Sequence, residues 1–190
     1  MRTTCNYQPL ANYIPQQDAI AVARLRSAGA IIMAKTNCAT LAEDYQANGM
    51  MFGRANNPWN LNYTPGGSTS GGAAVAAGLS PLELGSDYGG SIRQPAHCCG
   101  IYGFKPTDRL VPTIGHLPEL PGYPRSIRHV LTIGPLARSI EDLKLCLSLI
   151  AGADFRQPEI PPVSLETPPE PSLSNFLVMF ESDIKRHWGI

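Results

Sequence analysis

The sequence predicts an α/β protein. Residues 18–29 have the apolar spacing of a helix with one buried face, and the apolar run 30–34 that follows has the length of a buried strand. A helix joined to a buried strand by a tight turn is half of an α/β unit. Further along, two glycine- and serine-rich clusters enclose a second helix pattern and a second short apolar run.

The composition excludes several classes of partner. The chain has 190 residues, which suits one domain, and its 15 basic residues balance 15 acidic ones. A chain without net charge lacks the field that attracts nucleic acid or an acidic membrane surface, so neither is expected. No apolar run approaches the roughly 18 residues of a membrane span, and the first residues lack the pattern of a signal peptide.

The cysteines indicate the compartment. There are five of them, an odd number with no repeated spacing. This usage favours free thiols over a disulfide framework. Because free thiols persist in a reducing compartment, we expect a cytoplasmic protein.

The N-terminal part supplies the first helix and strand. Residues 1–15 have no periodic apolar pattern and are expected to form a loop. Asp18, shortly after Pro15, is a helix start signal, and Gly29 fits a C-cap. Residues 35–37 follow the apolar run, at the carboxyl end of the expected strand, where α/β proteins tend to build their sites.

The middle of the chain alternates loops with short elements. Residues 48–65 are rich in Asn and Pro, which predicts a loop. Short elements are expected at five places: a helix at 40–47, a small-residue helix at 73–77, a strand at 82–84, a helical turn at 91–98 and a strand at 101–104.

The C-terminal part has one strong element. After a loop-rich stretch at 105–135, Ser139 is the N-cap candidate of a very apolar helix that ends near Gly152. Residues 157–174 contain six prolines and predict an extended linker, followed by a short tail at 175–190.

The two glycine- and serine-rich clusters, residues 66–72 and 89–91, are the feature that needs a chemical explanation. A tight turn without chemistry would account for one cluster, whereas two around an α/β element favour backbone amides close to a reacting group. A phosphate loop is disfavoured because no lysine follows either cluster. A G-x-S-x-G nucleophile elbow is disfavoured because no serine in them has the required glycine on both sides.

The sequence TPGGSTSGGAAVAAGLSPLELGSDYGGSIRQPAHCCGIYGFKPT, residues 64–107, closely resembles the signature of the amidase signature family of serine hydrolases. The resemblance continues upstream through DAIAVARLRSAGAIIMAKTN and downstream through GPLARSIEDLKLCLSLIAG, and covers about residues 2–152. It implies a mixed, mainly parallel sheet wrapped by helices and truncated at both ends. Residues 1–156 would then be a partial amidase signature domain.

The resemblance also implies the roles of the site residues. Ser91 matches the nucleophile, which attacks an amide carbonyl, and Ser68 matches the serine that relays a proton to the base and follows a cis peptide bond. Tyr88, Gly89 and Gly90 match, together with Ser91, the backbone amides of the oxyanion hole. Such amides stabilise the charge that develops on the carbonyl oxygen.

Further implications concern support and partners. Thr69, Asp87 and Arg93 match supporting positions around the site. The implied reaction is hydrolysis of a small-molecule carboxylic amide through an acyl-enzyme, without a metal or an organic cofactor. A homodimer or a missing complementary segment is the protein partner that we expect.

The family's base is a lysine, kept neutral by burial and by its neighbours. It lies upstream of the segment that residues 2–5 resemble, so this chain is expected to lack it. Lys35 is the candidate substitute for this base. Two further departures from the family pattern are a spacing of 23 residues between Ser68 and Ser91, one fewer than in the family, and Cys98 in place of a larger apolar residue. A non-catalytic fragment and an amidotransferase-type subunit that needs a partner protein therefore stay open as alternatives.

Overall fold

The computed structural model describes residues 1–116, 130–163 and 165. These residues form an α/β fold, as the sequence predicts. Its elements, in chain order, are α1 (Ile20–Ser27), β1 (Asn48–Gly49), β2 (Gly53–Arg54), α2 (Gly71–Ala76), β3 (Leu82–Asp87), α3 (Arg93–Cys99), β4 (Tyr102–Gly103), β5 (Thr132–Ala137) and α4 (Ile140–Ile150). Within the described residues no helix has both the length and the apolar character needed to cross a bilayer.

The central sheet has the strand order β3-β5-β4. β5 pairs antiparallel with β3 over six residues, from Leu82 opposite Ala137 to Asp87 opposite Thr132, and antiparallel with β4 at its other edge. β3 and β4 therefore run in the same direction on either side of β5. The parallel pairs that the resemblance implies do not occur among the strands described here.

Helices cover both faces of this sheet, and β5 is consequently buried along its whole length. On one face, α1 and α4 pack on β5 through Ala21, Leu25, Ile133, Cys146 and Ile150. On the other face, Ile92 and Ala96 of the α3 segment pack against Leu136. Alternate residues of a strand point to opposite faces, so Glu83, Gly85 and Asp87 of β3 all face α2 and α3. This second face carries the candidate site.

The helix α4 shows how local signals and tertiary contacts combine. The Ser139 side chain accepts a hydrogen bond from the Asp142 amide, as the N-cap prediction requires. At the other end, the Arg24 guanidinium of α1 donates to the carbonyl oxygens of Ile150 and Ala151 at 2.7 and 2.9 Å. These carbonyls lack partners within the helix, so Arg24 completes its C-terminus. The helix is less buried than predicted, since Leu145 is 61% exposed.

Several sequence predictions differ from the structure in position or type. Residues 48–65 are predicted to be loop but contain the short strands β1 and β2. Residues 30–34 are not a strand, and Ile31 and Met33 are 87% and 67% exposed. The expected helix at 40–47 is a single 3₁₀ turn, Thr40–Ala42. The stretch 105–135 was expected to be loop, but it contains the start of β5.

The predicted linker begins too early. Gln157 is 6% exposed, and its side-chain oxygen accepts a hydrogen bond from the Thr113 amide at 2.8 Å. Ile160 is also buried. Residues 157–160 therefore belong to the folded unit, whereas most of the predicted linker and the whole of the tail lie outside the described residues.

Candidate active site

Asp87 organises the turn that carries Ser91. It is the last residue of β3 and is fully buried. Its carboxylate accepts hydrogen bonds from the backbone amides of Gly90, Ile92 and Arg93 at 2.8, 3.1 and 3.2 Å. The Arg93 guanidinium adds two more, at 3.0 and 2.9 Å. A buried carboxylate with this many donors stays ionised and holds the loop in one shape.

The pKa of Asp87 reflects this balance. Burial by itself would raise the pKa, but the hydrogen bonds from the Arg93 side chain and from the amides of Ile92, Arg93 and Gly90 outweigh it. The pKa therefore lies below its ordinary value. The Asp87 carboxylate is therefore charged at neutral pH and stabilises the turn.

Two peptide units between Gly89 and Ser91 have defined directions. In the first, the Gly89 carbonyl accepts from the Tyr45 hydroxyl at 2.9 Å, and the Gly90 N–H donates to Asp87. In the second, the Gly90 carbonyl accepts from the Gln94 amide at 2.7 Å. Both units are trans, so the Ser91 N–H points away from Gln94 and from α3.

These directions select the amides that can bind an oxyanion. The N–H groups of Tyr88, Gly89 and Ser91 have no acceptor among the described residues. The Gly90 N–H donates to the Asp87 carboxylate in this structure, and its part in an oxyanion hole stays a prediction. The Gly90 φ of +131° lies in a region that favours glycine.

Ser68 lies on the second loop of the site and is 5% exposed, and Ser91 is 9% exposed. The Gly67–Ser68 peptide bond is cis, the geometry that the resemblance implies. The Ser68 carbonyl accepts from the Ala39 amide at 2.8 Å. The next turn is held by Ser70, whose amide and hydroxyl both donate to the Asn37 carbonyl. Residues 37–39 therefore fix this loop, at the place where the sequence indicated a site.

Gln94 and Tyr45 bring the two loops together. The Gln94 side-chain oxygen accepts from the Gly67 amide at 2.8 Å, while its own amide donates to Gly90. The Tyr45 backbone leaves no room for a side chain at Gly67, where a Cβ would lie 2.6 Å from its carbonyl carbon. Sequence reasoning did not single out either residue. Gln94 lies within the recognised motif, but Tyr45 lies outside it, in the stretch 40–47 for which the sequence predicts a helix.

The predicted supporting residues have structural partners. Thr69 accepts a hydrogen bond from the Gly71 amide at 3.1 Å and forms a single bridge with Cys38. Arg93 is paired with Asp87, although its side chain is 55% exposed. Tyr88 is 59% exposed and its side chain makes no hydrogen bond to the described residues.

A base for the two serines is not found in the described part of the chain. Lys35 is exposed, and no lysine in this part donates to Ser68 or Ser91. Neither serine makes a side-chain hydrogen bond to a histidine there. Among the same residues, no three His, Cys, Asp or Glu side chains lie close enough together to hold a metal ion.

Comparison with known proteins decides the family. A family model described as Amidase matches residues 1–185. The chain belongs to the amidase family. The match extends past residue 156, where the sequence analysis placed the end of the domain.

Relatives within the amidase family are similar over most of this chain. It is 48% identical over 155 residues to a glutamyl-tRNA(Gln) amidotransferase subunit of Roseiflexus sp. (strain RS-1), which covers 81% of this chain and 30% of that protein. The corresponding protein of Thermus thermophilus is 42% identical over 170 residues, covering 89% and 34% of the two chains. The chain thus spans about a third of the length of these relatives.

The solved structures agree in fold. A 6-aminohexanoate cyclic dimer hydrolase is similar at a TM-score of 0.78 and 32% identity, over 87% of this chain and 34% of that one. The corresponding amidotransferase subunit from Thermotoga maritima gives 0.72 and 36%, over 82% and 33%. The described residues therefore form part of an amidase-type α/β fold.

Proposed function

We propose that this chain carries the acyl-transfer centre of an amidase, with Ser91 as the nucleophile. The observation that carries the proposal is the turn Asp87–Arg93, which carries Ser91 and, in the same few residues, N–H groups that have no acceptor among the described residues. Unpaired, pre-oriented amides at a serine are the arrangement that acyl transfer requires.

The reaction follows from these groups. The Ser91 Oγ attacks the carbonyl carbon of a small-molecule carboxylic amide, and the carbonyl oxygen becomes an oxyanion near the amides of Gly89 and Ser91. The C–N bond then breaks, the amine leaves with a proton, and an ester remains on Ser91. Water hydrolyses that ester to a carboxylic acid and frees the serine.

Ser68 has the role of proton relay in this proposal. A serine hydroxyl is a weak nucleophile without a base, so the proton of Ser91 must move as the ester forms. Ser68 is buried on the adjoining loop, and that loop is tied to the Ser91 loop through Gln94. In the family that the sequence resembles, the final acceptor of the proton is a lysine upstream of the segment that residues 2–5 match.

A fluorophosphonate tests the nucleophile directly. It transfers its phosphoryl group to an activated serine and releases fluoride, and mass spectrometry of the peptide containing Ser91 locates the adduct. We expect labelling of the chain at Ser91, loss of that adduct in Ser91→Ala, and slower labelling in Ser68→Ala. The matched control is Ser148→Ala, because Ser148 is exposed on α4. Labelling that survives in Ser91→Ala at another serine would contradict the assignment.

A primary amine added to the reaction separates a wrong nucleophile from a missing base. If Ser91 is the nucleophile and lacks only its base, labelling should rise with the concentration of the amine. If no amine concentration gives an adduct at Ser91, the chain is a non-catalytic fragment.

A second role is favoured by the names of the relatives, which are amidotransferase subunits. In this role the same chemistry at Ser91 would release ammonia for a partner protein. Co-purification of the chain with such a partner would support the second role, and amide turnover by the chain alone would favour the first.

A further inference from the structure

Tyr45 lies outside the recognised motif but contacts both the loop that carries Ser91 and the loop that carries Ser68. Its hydroxyl donates to the Gly89 carbonyl at 2.9 Å. Its ring lies over the same loop, because a Cβ placed on Gly90 would be 3.6 Å from the Tyr45 Cε1 atom. Its backbone is packed against Gly67, on the loop of Ser68.

The hydrogen bond from Tyr45 acts on one particular peptide unit. The Gly89 carbonyl and the Gly90 N–H belong to the same planar, trans peptide, so they point in opposite directions. The carbonyl is held by Tyr45 from outside, and the N–H is held by the buried Asp87 from inside. With both ends fixed, the peptide cannot rotate about its flanking bonds without losing a hydrogen bond.

This orientation matters because glycine restrains its own backbone poorly. Gly89 and Gly90 have no side chains to limit rotation, and Gly90 has a φ of +131°. Rotation about the bonds that flank this unit, unless the two rotations cancel, would change the direction of the Ser91 N–H relative to that of the Gly89 N–H. These are the amides that the proposed reaction uses.

We propose that Tyr45 is a positioning residue for the oxyanion site: its hydroxyl fixes the Gly89–Gly90 peptide and so keeps the flanking amides aimed at the substrate. This inference rests on the proposed function for its consequence in catalysis. The fixing of the peptide is testable without catalysis.

The first measurement is residue-resolved amide hydrogen exchange by NMR on the whole chain, wild type and Tyr45→Phe. The substitution removes the hydroxyl and keeps the ring. Loss of a single neutral hydrogen bond should raise the exchange of the Gly90 amide about two- to tenfold. The amides of Ile92 and Arg93 bond to the same Asp87 carboxylate, so they report on the rest of the turn and should keep their protection.

Tyr63→Phe is the matched control, since Tyr63 is 65% exposed and its hydroxyl makes no hydrogen bond to the described residues. It should leave the Gly90 amide unchanged. If Tyr45→Phe leaves Gly90 unchanged too, or raises the exchange of Gly90, Ile92 and Arg93 equally, the positioning role is wrong. Equal changes would mean that the hydroxyl contributes only to general stability.

The second measurement is the rate at which the fluorophosphonate labels Ser91, at saturating and at low concentrations of the reagent. We expect Tyr45→Phe to slow the bond-forming step about two- to tenfold and to leave the half-saturating concentration unchanged. If the wild type labels and the variant labels equally fast, the inference is overturned. If the wild type does not label at all, the proposed function fails, and the exchange data alone decide whether Tyr45 fixes the peptide.

Discussion

The carboxylate of Asp87 and the guanidinium of Arg93 meet at two points, with Nε to Oδ2 at 3.0 Å and Nη2 to Oδ1 at 2.9 Å. The two residues lie on either side of Ser91, one ending β3 and the other beginning α3. Their ion pair therefore closes the turn on which the serine sits. Because Asp87 also binds three backbone amides, the same carboxylate joins strand, turn and helix.

Replacing Asp87 should unfold this turn. In Asp87→Ala, three backbone donors and the guanidinium lose their acceptor, and we expect a loss of about 2–4 kcal/mol in the free energy of unfolding. Urea denaturation measures it. Asp108→Ala is the control, because Asp108 pairs with Arg109 at 3.6 Å on the surface and such a pair is worth about 0–1 kcal/mol. Equal losses in the two variants would contradict the central role of Asp87.

Gly67 should not tolerate a side chain. A Cβ there would lie 2.6 Å from the Tyr45 carbonyl carbon and 2.7 Å from the Asp44 carbonyl oxygen. Both are backbone atoms, which cannot move away as a flexible side chain could. We expect Gly67→Ala to cost about 2–3 kcal/mol by thermal or urea denaturation and to abolish labelling of Ser91. At Gly78 a Cβ would meet nothing within 4 Å, but φ is +74°. Gly78→Ala should therefore cost only about 1 kcal/mol and leave labelling intact.

Glu83 should make stability depend on pH. Burial raises the pKa of this carboxyl above its ordinary 4.5, although a hydrogen bond from the Thr36 hydroxyl at 2.7 Å partly opposes the shift. A raised pKa in the folded state contributes stability that is complete below 4.5 and is lost as the pH rises through the folded pKa. Glu83→Gln cannot ionise and should escape that loss.

The measurement is the free energy of unfolding from about pH 4 to about pH 8. The free energy of unfolding of Glu83→Gln, relative to that of the wild type, should increase as the pH rises. Glu159→Gln serves as the control at an exposed position. A difference that shrinks with rising pH would show that Glu83 is stabilised in its charged form.

Thr132 offers a stabilising substitution. It lies on β5 opposite Asp87 and is 3% exposed, and its hydroxyl has no hydrogen-bond partner among the described residues. Thr132→Val replaces a buried unpaired hydroxyl with a methyl group of similar size, and we expect a gain of about 1 kcal/mol in thermal denaturation. Thr132→Ser keeps the hydroxyl and removes the methyl group, so it should lose about 1 kcal/mol instead. A loss in both variants would mean that the hydroxyl is satisfied.

Local signals in the sequence predicted the elements that depend on local contacts. The helix after Ser139 was correct because its N-cap and its apolar positions act within a few residues of one another. The helix at 20–27, followed by Gly29 with a φ of +93°, has the same local origin. The family motif likewise identified Ser68, Ser91 and Asp87 before their geometry was known.

Strands were predicted less well, since a strand needs a partner. The apolar run 30–34 has the composition of a strand, but among the described residues nothing pairs with it and it stays exposed. The strand β5 was not predicted, because TIGPLA contains glycine and proline and does not alternate in polarity. It is a strand because helices cover it on both faces and β3 and β4 flank it.

The sequence by itself determined the family, the order of most elements and the two serines of the site. The tertiary structure decided which backbone groups are free at those serines. It directs the Gly90 amide to the Asp87 carboxylate, and it brings the Tyr45 hydroxyl, 46 residues before Ser91 in the sequence, to the carbonyl of Gly89. The reason is physical: a motif specifies residue types and spacing, whereas the direction of a peptide group depends on the hydrogen-bond partners that distant segments bring to it.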